Sequence, residues 1–409
     1  MRIGLFTEVY LPSTSGVATA VDLLKRGLEE KGHEIYVITV NPEYGFKAKY
    51  IKKGSILRIP GSRSNIAEFP IRITPPIWAI NKIKSLNLDV IHTNTEFIIG
   101  RFGKNMAKSL GIPVVHTFHT LYEKSPDYFL KGMPNLSDKV TRMFVKSFLN
   151  DNITKFIVPS NKALKSLKNR YKVKKHIDVI CTGIDMENYD NKIASEKELD
   201  TLKKRLGIKN DDFVITFAGR LGYEKKIYIL IEAHKEIVKK HPNAKLLIVG
   251  NGSQENYLKE LVKRCDVSDN VIFTGKVEHK YIGKYYLIAD ILATASDMET
   301  QGLTVLEAMA ASCPVVCLVD DAFCEVVKEN YNGSFFRDRK EYVKKVNILI
   351  NNPEKLSLMQ KNAYKTAEAN SLDKCIEKIE KVYIKAIQEK NKKRKTLFFR
   401  KKSDLSIQK

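Results

Sequence analysis

SDMETQGLTVLEAMAASCPVV, residues 296–316, sets two carboxylates, Glu299 and Glu307, on either side of Gly302-Leu303-Thr304. The run LEAMAA favours helix. Free backbone N–H groups and the positive end of the helix dipole therefore fall between the two acids, where an anion can be held. A carboxylate just before such a helix can accept hydrogen bonds from sugar hydroxyls, and one about a turn and a half inside it can hold the two hydroxyls of a ribose. A nucleoside diphosphate sugar offers these groups in that order. On either side of the stretch, DILATAS (290–296) and PVVCL (314–318) read as strands, so the helix joins two strands of one sheet.

Further outward, FVITFAG (213–219), AKLLIVG (244–250) and NVIFTG (270–275) are short apolar runs with helical stretches between them. The first half of the chain has the same alternation. Strands are expected at 3–9, 34–40, 55–60, 89–94, 113–119, 155–160 and 178–182, and helical periodicity lies at 17–32, 97–111 and 160–171. Such alternation implies an α/β fold with mainly parallel sheets covered by helices on both faces. The chain has 409 residues, more than the roughly 250–300 at which one core stops growing. Two doubly wound domains are expected, meeting near 182–185. Beyond that point the chain is polar until Phe213, with one amphipathic helix in KELDTLKKRLGI (197–208).

The spacing of Glu299 and Glu307 around Gly302 resembles the motif of retaining glycosyltransferases of family 4, which have the GT-B fold: two Rossmann-like domains facing each other across a cleft. Within that family, ETQGLT (299–304), FHTLYE (118–123) and CTGID (181–185) resemble the bacterial enzymes that glucosylate 1,2-diacylglycerol. The likeness runs from Met1 to about Lys390. It implies that residues 1–183 form an acceptor- and membrane-facing domain and 184–371 a nucleotide-sugar domain. Residues 372–389 would be a helix crossing back to the first domain, followed by a basic tail at 390–409. The implied reaction moves glucose from UDP-glucose to the free hydroxyl of diacylglycerol with retained configuration, making a monoglucosyl membrane glycolipid. No Asp-x-Asp metal motif stands out, and no obligatory metal or cofactor is expected.

Three more clusters gain roles under this resemblance. PSTSGVATAV (12–21) is a turn after the first strand that opens a helix at Val17; it lacks G-x-G-x-x-G, which disfavours a dinucleotide. Gly16 there lets the backbone approach the donor diphosphate. AGRLGYEKK (218–226) follows the strand FVITF and puts Arg220 and Lys225 at a strand's carboxyl end, where open α/β sheets bind ligands. An arginine fork and a lysine point charge can neutralise a diphosphate. The pair matches the family's GRL and EK motif, whereas Lys226 stands where the family usually has Gly or Asn and reads as a solvated surface lysine. His119, closing PVVHTFH, faces the sugar beside the anomeric centre by resemblance. His116, three residues earlier on the opposite face of a period-two strand, reads as structural, and His92 as packing. In this scheme Glu299 holds sugar hydroxyls and Glu307 the ribose. Arg220, Lys225 and the amides near Gly302, Leu303 and Thr304 stabilise charge on the leaving diphosphate.

Composition points to an anionic partner. Seventy Lys and Arg against 47 Asp and Glu give a net charge of +23, suited to nucleic acid, an anionic membrane or a phosphorylated substrate. A nucleic-acid-binding protein on a doubly wound scaffold leaves the glutamate pair unexplained and lacks a helix-turn-helix, zinc-finger or RNP-like pattern. A family 4 enzyme of surface polysaccharide, or of another lipid, is the nearer alternative. Three segments could reach a bilayer as a peripheral protein on the cytoplasmic face. PIRITPPIWAINKIKSL (70–86) brings Trp78 with Ile77, Ile80 and Ile83. DKVTRMFVKSFL (138–149) puts Val140, Met143, Phe144 and Phe148 on one face, with Lys139, Arg142 and Lys146 outside it. KNKKRKTLFFRKK (390–402) has eight basic residues around Leu397, Phe398 and Phe399. RIGLFTEV starts as a strand and lacks the pattern of a signal peptide. The six cysteines fall mostly in apolar runs and read as reduced core thiols.

Overall fold

In a computed structural model the chain forms two units, Met1–Thr182 with Leu372–Lys409, and Gly183–Ser371. The structure describes residues 1–13, 15–44, 52–53, 55–61, 75–122, 134–150 and 152–407. Thr14 of the first turn, Glu123 of FHTLYE, residues 70–74 ahead of Trp78 and the side chains of the basic tail from 394 onward lie outside it.

The first unit is built on an eight-stranded sheet. Its strands are β1 (Arg2–Phe6), β2 (Glu34–Tyr44), β3 (Lys52–Lys53), β4 (Ile56–Gly61), β5 (Val90–Thr93), β6 (Val114–Thr117), β7 (Lys155–Val158) and β8 (Ile177–Val179), in the order β3-β4-β2-β1-β5-β6-β7-β8. All pairings are parallel except that of β3 with β4. Around it lie α1 (Gly16–Glu30), α2 (Ile77–Ser85), α3 (Ile98–Leu110), α4 (Pro134–Leu149) and α5 (Asn161–Lys165). The strands are short apolar runs because both faces are covered. Phe6, Ile91, Val114 and Phe156 pack on one face with residues of α2, α3, α4 and α5. Ile3, Leu5, Val90, Val115 and Ile157 pack on the other with Val21, Leu24 and Leu28 of α1.

The second unit has β9 (Phe213–Ala218), β10 (Ala244–Val249), β11 (Val271–Gly275), β12 (Ile291–Thr294), β13 (Val315–Leu318) and β14 (Gly333–Phe336), in the order β11-β10-β9-β12-β13-β14 and parallel throughout. Numbered within the unit this is 3-2-1-4-5-6, the order of a dinucleotide-binding doubly wound sheet. Its helices are α6 (Glu196–Leu206), α7 (Ile227–Val238), α8 (Glu255–Cys265), α9 (Ile282–Leu287), α10 (Leu303–Ala310), α11 (Arg339–Ile350) and α12 (Pro353–Ala369). β14 was not among the expected strands. GSFF is short and flanked by turn residues, and it becomes a strand by pairing with β13, Val315 opposite Gly333.

The last helix, α13 (Leu372–Ile407), belongs to the first unit and runs well past residue 389. Its residues Ile376, Ile379, Val382, Tyr383 and Ala386 repeat at three- and four-residue spacing and join the face covered by α1. The approach is close: a Cβ on Gly27 of α1 would stand 2.6 Å from Ile376. Buried His92 of β5 fixes the helix to the sheet, its Nδ1 lying 2.6 Å from the Tyr383 hydroxyl and its Nε2 2.7 Å from Thr117 Oγ1.

The single apolar face expected on α4 is split in two. Val145 and Phe148 point into the core and Phe144 stacks on Phe97, while Leu136, Val140 and Met143 are exposed beside exposed Lys139, Arg142 and Lys146. α2 divides the same way: Ile83 is buried and Ile80 packs on the core, whereas Ile77 and Trp78 are exposed. A helix lying on a sheet must turn one apolar stripe inward, so only the residues off that stripe remain at the surface. Among the described residues no helix is long and apolar enough to cross a membrane.

Candidate active site

Most observed strands end one to three residues before the expected carboxyl ends, because those residues have already left the sheet as loops. In each unit the strand order reverses direction at one point, between β1 and β5 and between β9 and β12. Ligands of open parallel sheets bind at such points, outside the carboxyl ends of the strands.

In the second unit the loop after β9 carries Arg220, Lys225 and Lys226, and the loop after β12 carries Asp297 and Glu299 into α10. Lys225 Nζ donates to Glu299 Oε1, both side chains being about one-fifth exposed. Lys226 Nζ lies 2.6 Å from Asp297 Oδ2. Lys226 is therefore an ion-paired residue and not the solvated lysine expected from the sequence. Its backbone is left-handed, φ 49° and ψ 36°, a conformation that Gly and Asn adopt with least strain. That accounts for the usual residues at this position in the resembled family. Arg220 is largely exposed and its Nη2 lies 2.8 Å from Glu224 Oε1. Three cations thus meet three carboxylates, and the cluster is balanced in charge.

Gly302 caps the N-terminus of α10 in a left-handed conformation, φ 75°, and no side chain caps the helix. A Cβ there would also stand 2.4 Å from the ring of Phe323, so position 302 needs glycine on both counts. Leu303 and Thr304 form the first turn, and Glu307 follows on the same helix, 5% exposed. The Tyr286 hydroxyl donates to Glu307 Oε2 at 3.0 Å, and His279 Nε2 lies 3.1 Å from Oε1. Burial and the nearby Glu307 charge hold the Tyr286 hydroxyl far above the usual phenol range, so it remains a donor. Neither partner of Glu307 was identified from the sequence. Tyr286 lies inside the apolar run YYLIAD, and only the fold brings it to α10.

At the switch point of the first unit, β1 is followed by Thr7 and Glu8, β5 by Asn94, Thr95 and Glu96, and β6 by Phe118 and His119. His119 Nε2 lies 3.1 Å from Asn94 Oδ1, so Nε2 donates and Nδ1 is the acceptor nitrogen. Burial, helped by His116, pushes the His119 pKa down to about 3, and the imidazole is neutral. His116 is fully buried between Phe148 and Phe156, with Nδ1 3.0 Å from Thr93 Oγ1 and Nε2 3.2 Å from Glu96. Gly16 opens α1 behind the Ser15 cap, and a Cβ on it would meet no heavy atom within 4 Å. Packing within the unit does not require glycine there.

Two buried acids at this point were missed. Glu8 accepts from the Thr95 hydroxyl and from the Ile99 N–H in the first turn of α3, a helix whose N-cap residue Phe97 offers no side-chain acceptor. Burial raises the Glu8 carboxyl to about 7. Glu96 accepts from the Tyr122 hydroxyl. The available signal was an acid shortly after an apolar run, two residues past Phe6 in LFTE and five past Ile91 in IHTNTE.

The two halves match separate family models, Glycosyltransferase Family 4 over residues 14–188 and Glycosyl transferases group 1 over residues 199–366. The alpha-monoglucosyldiacylglycerol synthase of Acholeplasma laidlawii is 36% identical over 404 residues, covering 96% of this chain and 99% of that protein. The synthase of the same name from Streptococcus pneumoniae is 33% identical, covering 82% of this chain and 75% of that protein. Among solved structures, Anabaena HepE in complex with UDP-glucose superposes with a TM-score of 0.71 at 19% identity, over 93% of this chain and 99% of the other. With that likeness to the Acholeplasma synthase over nearly the full length of both proteins, the chain belongs to the family 4 glycosyltransferases of GT-B fold.

Proposed function

We propose that this glycosyltransferase moves glucose from UDP-glucose to the free hydroxyl of 1,2-diacylglycerol, with retained configuration, at the surface of an anionic membrane. The observation that carries the donor half is the meeting of Lys225 with Glu299 at the carboxyl ends of β9 and β12, next to the uncapped start of α10. The acceptor half is supported by the names of the two synthases, from Acholeplasma laidlawii and Streptococcus pneumoniae, to which the chain is similar. HepE was solved with UDP-glucose, which supports the same donor class.

The charge balance of the cluster gives the binding step its logic. A diphosphate entering beside α10 takes Lys225 from Glu299 and Arg220 from Glu224. Arg220 is largely exposed, and a surface pair of that kind contributes only about 0–1 kcal/mol; the more sheltered Lys225 exchanges one anionic partner for another. Glu299, released from Lys225, turns to the sugar hydroxyls, while Glu307 takes the ribose hydroxyls and is kept in place by Tyr286. Gly16 and His119 are the groups we assign to the first unit's part of the site: Gly16 admits the diphosphate, and neutral His119 meets the sugar near the anomeric carbon.

In the transfer step the bond between the anomeric carbon and the diphosphate oxygen breaks. The acceptor hydroxyl oxygen bonds to the same face of that carbon, and its proton passes to the departing diphosphate. Arg220, Lys225 and the N–H groups of Leu303 and Thr304 stabilise the charge that grows on UDP, preorganised electrostatics of the kind that often dominates catalysis. The scheme calls for no bound metal.

Membrane contact is assigned to the outward stripes of α4 and α2, where Leu136, Val140, Met143, Ile77 and Trp78 are exposed beside lysines and arginine, with the +23 net charge drawing the protein to anionic lipid. The association is peripheral and, in this reading, on the cytoplasmic face. A panel of radiolabelled nucleotide sugars with mixed micelles of diacylglycerol and phosphatidylglycerol tests the reading. Label from UDP-glucose should enter the lipid fraction. Label that enters only a soluble saccharide would move the chain to polysaccharide synthesis.

A further inference from the structure

Two cysteines that are 194 positions apart in the chain meet in the first unit: Cys181 Sγ and Cys375 Sγ are separated by 3.1 Å. Cys181 follows β8 and is half-buried, while Cys375 lies in the first turn of α13 and is buried. The chain leaves this unit after Thr182 and returns to it at Leu372, so each thiol stands within a few residues of one passage. Just inside the second unit, the Ile184 N–H donates to Asn370 O at 3.1 Å and Ile184 bridges Ser371. The outgoing and returning segments run side by side, with a dithiol on one side of the crossing. The transfer reaction uses neither sulfur.

We propose that Cys181 and Cys375 are a redox modification site, closing to a reversible disulfide that ties the two passages together and slows glycosyl transfer. With a peroxide as oxidant, the Cys181 sulfur attacks one peroxide oxygen and the O–O bond breaks. The displaced hydroxide leaves as water with the thiol proton, and Cys181 becomes a sulfenic acid. The Cys375 sulfur then attacks the Cys181 sulfur and displaces its hydroxyl as a second water. Two thiols lose two electrons and two protons, and hydrogen peroxide is reduced to two waters. A dithiol reductant reverses the closure.

Cys181 is the sulfur that meets the oxidant because it is the accessible one. The hydrogen bond between the thiols, together with burial, pushes the Cys375 thiol far up. Closing the gap to the disulfide length of about 2.05 Å takes a shift of about an ångström. Any rearrangement of one unit against the other during turnover runs through these two segments, and steps of that kind often limit turnover.

The test uses the full chain with Cys324→Ser, which removes an exposed competing thiol. The protein is treated with hydrogen peroxide, mapped by non-reducing peptide mass spectrometry, and assayed before and after dithiothreitol. The expected result is a Cys181–Cys375 cross-linked peptide lighter by two hydrogens, a transfer rate at least about fivefold lower, and recovery on reduction. Adding Cys181→Ala, at the more accessible position, should abolish both the link and the loss of rate. Peroxide products that lack this link overturn the site, and a link that leaves the rate within about twofold of the reduced protein overturns the switch. The inference rests on the proposed transfer only for its rate. The cross-link is read without substrate, so its absence counts against the cysteine pair, while absence of lipid transfer in reduced protein counts against the acceptor.

Discussion

Lys225 donates to Glu299, and in the proposed reaction it passes to the donor diphosphate. Lys225→Ala and Arg220→Ala should each lower kcat by about two to three orders of magnitude, the usual cost of one preorganised charge stabiliser. Circular dichroism should show intact folding, and activity near the parent level in both would remove the assignment. Glu307→Gln should weaken UDP binding in calorimetry, because that carboxylate is held by Tyr286 on one side and His279 on the other. Glu299→Gln should spare UDP affinity and reduce transfer, and equal losses of UDP affinity would contradict the division of roles. Glu8 gives a pH test. Its folded pKa of about 7 lies above the ordinary carboxyl value of 4.5, so its stabilisation is complete below about pH 4.5 and is lost as pH rises through 7. The loss is about 3 kcal/mol. Denaturant titrations at pH 5 and 7.5 should show the parent losing about that much more stability than Glu8→Gln over the interval. His119 and His234, with folded values of about 3 and 4, change stability in the opposite sense over acidic pH, and subtracting the variant's curve removes their effect. At this scale the sequence was legible where the chemistry is contiguous, as in GRLGYEK and ETQGLT. It was silent on Tyr286, His279, Glu8 and Glu96, whose partners are brought together only by folding.

Among the elements, α4 separates what periodicity can tell from what it cannot. Its apolar repeat announces a helix, and the pattern does not say which of two adjacent stripes faces the sheet. Phe148 is fully buried and Met143 is 66% exposed, although both were expected on one face. Replacing Leu136, Val140 and Met143 together with Ser should leave the thermal midpoint within a few degrees, since all three are exposed. The same variant should reduce flotation with phosphatidylglycerol vesicles severalfold. Unchanged flotation would take α4 out of the membrane surface. Strands were the most legible elements, because a parallel sheet covered on both faces demands unbroken apolar runs. β14 escaped because its pairing with β13, and not its composition, makes it a strand.

At the scale of the molecule, alternation of strand and helix was enough to infer two doubly wound units, and the strand order, which places β9 beside β12 and β1 beside β5, was not readable from it. Order is set by which strands pair across distant sequence, and it is what gathers the site loops. The +23 charge acts on the whole chain. Flotation with phosphatidylglycerol vesicles should fall as salt shortens the screening length from about 10 Å at 0.1 M to about 3 Å at 1 M, and salt-independent binding to zwitterionic vesicles would contradict an electrostatic approach. The central claim is tested most directly by incubating the purified chain with UDP-glucose labelled at the anomeric carbon and dispersed diacylglycerol, then reading the lipid product by NMR. The account predicts one glucose on the free hydroxyl of diacylglycerol with the α configuration of the donor retained. A β-linked product, or a lipid fraction that carries no label while other nucleotide sugars or acceptors are used, would contradict it.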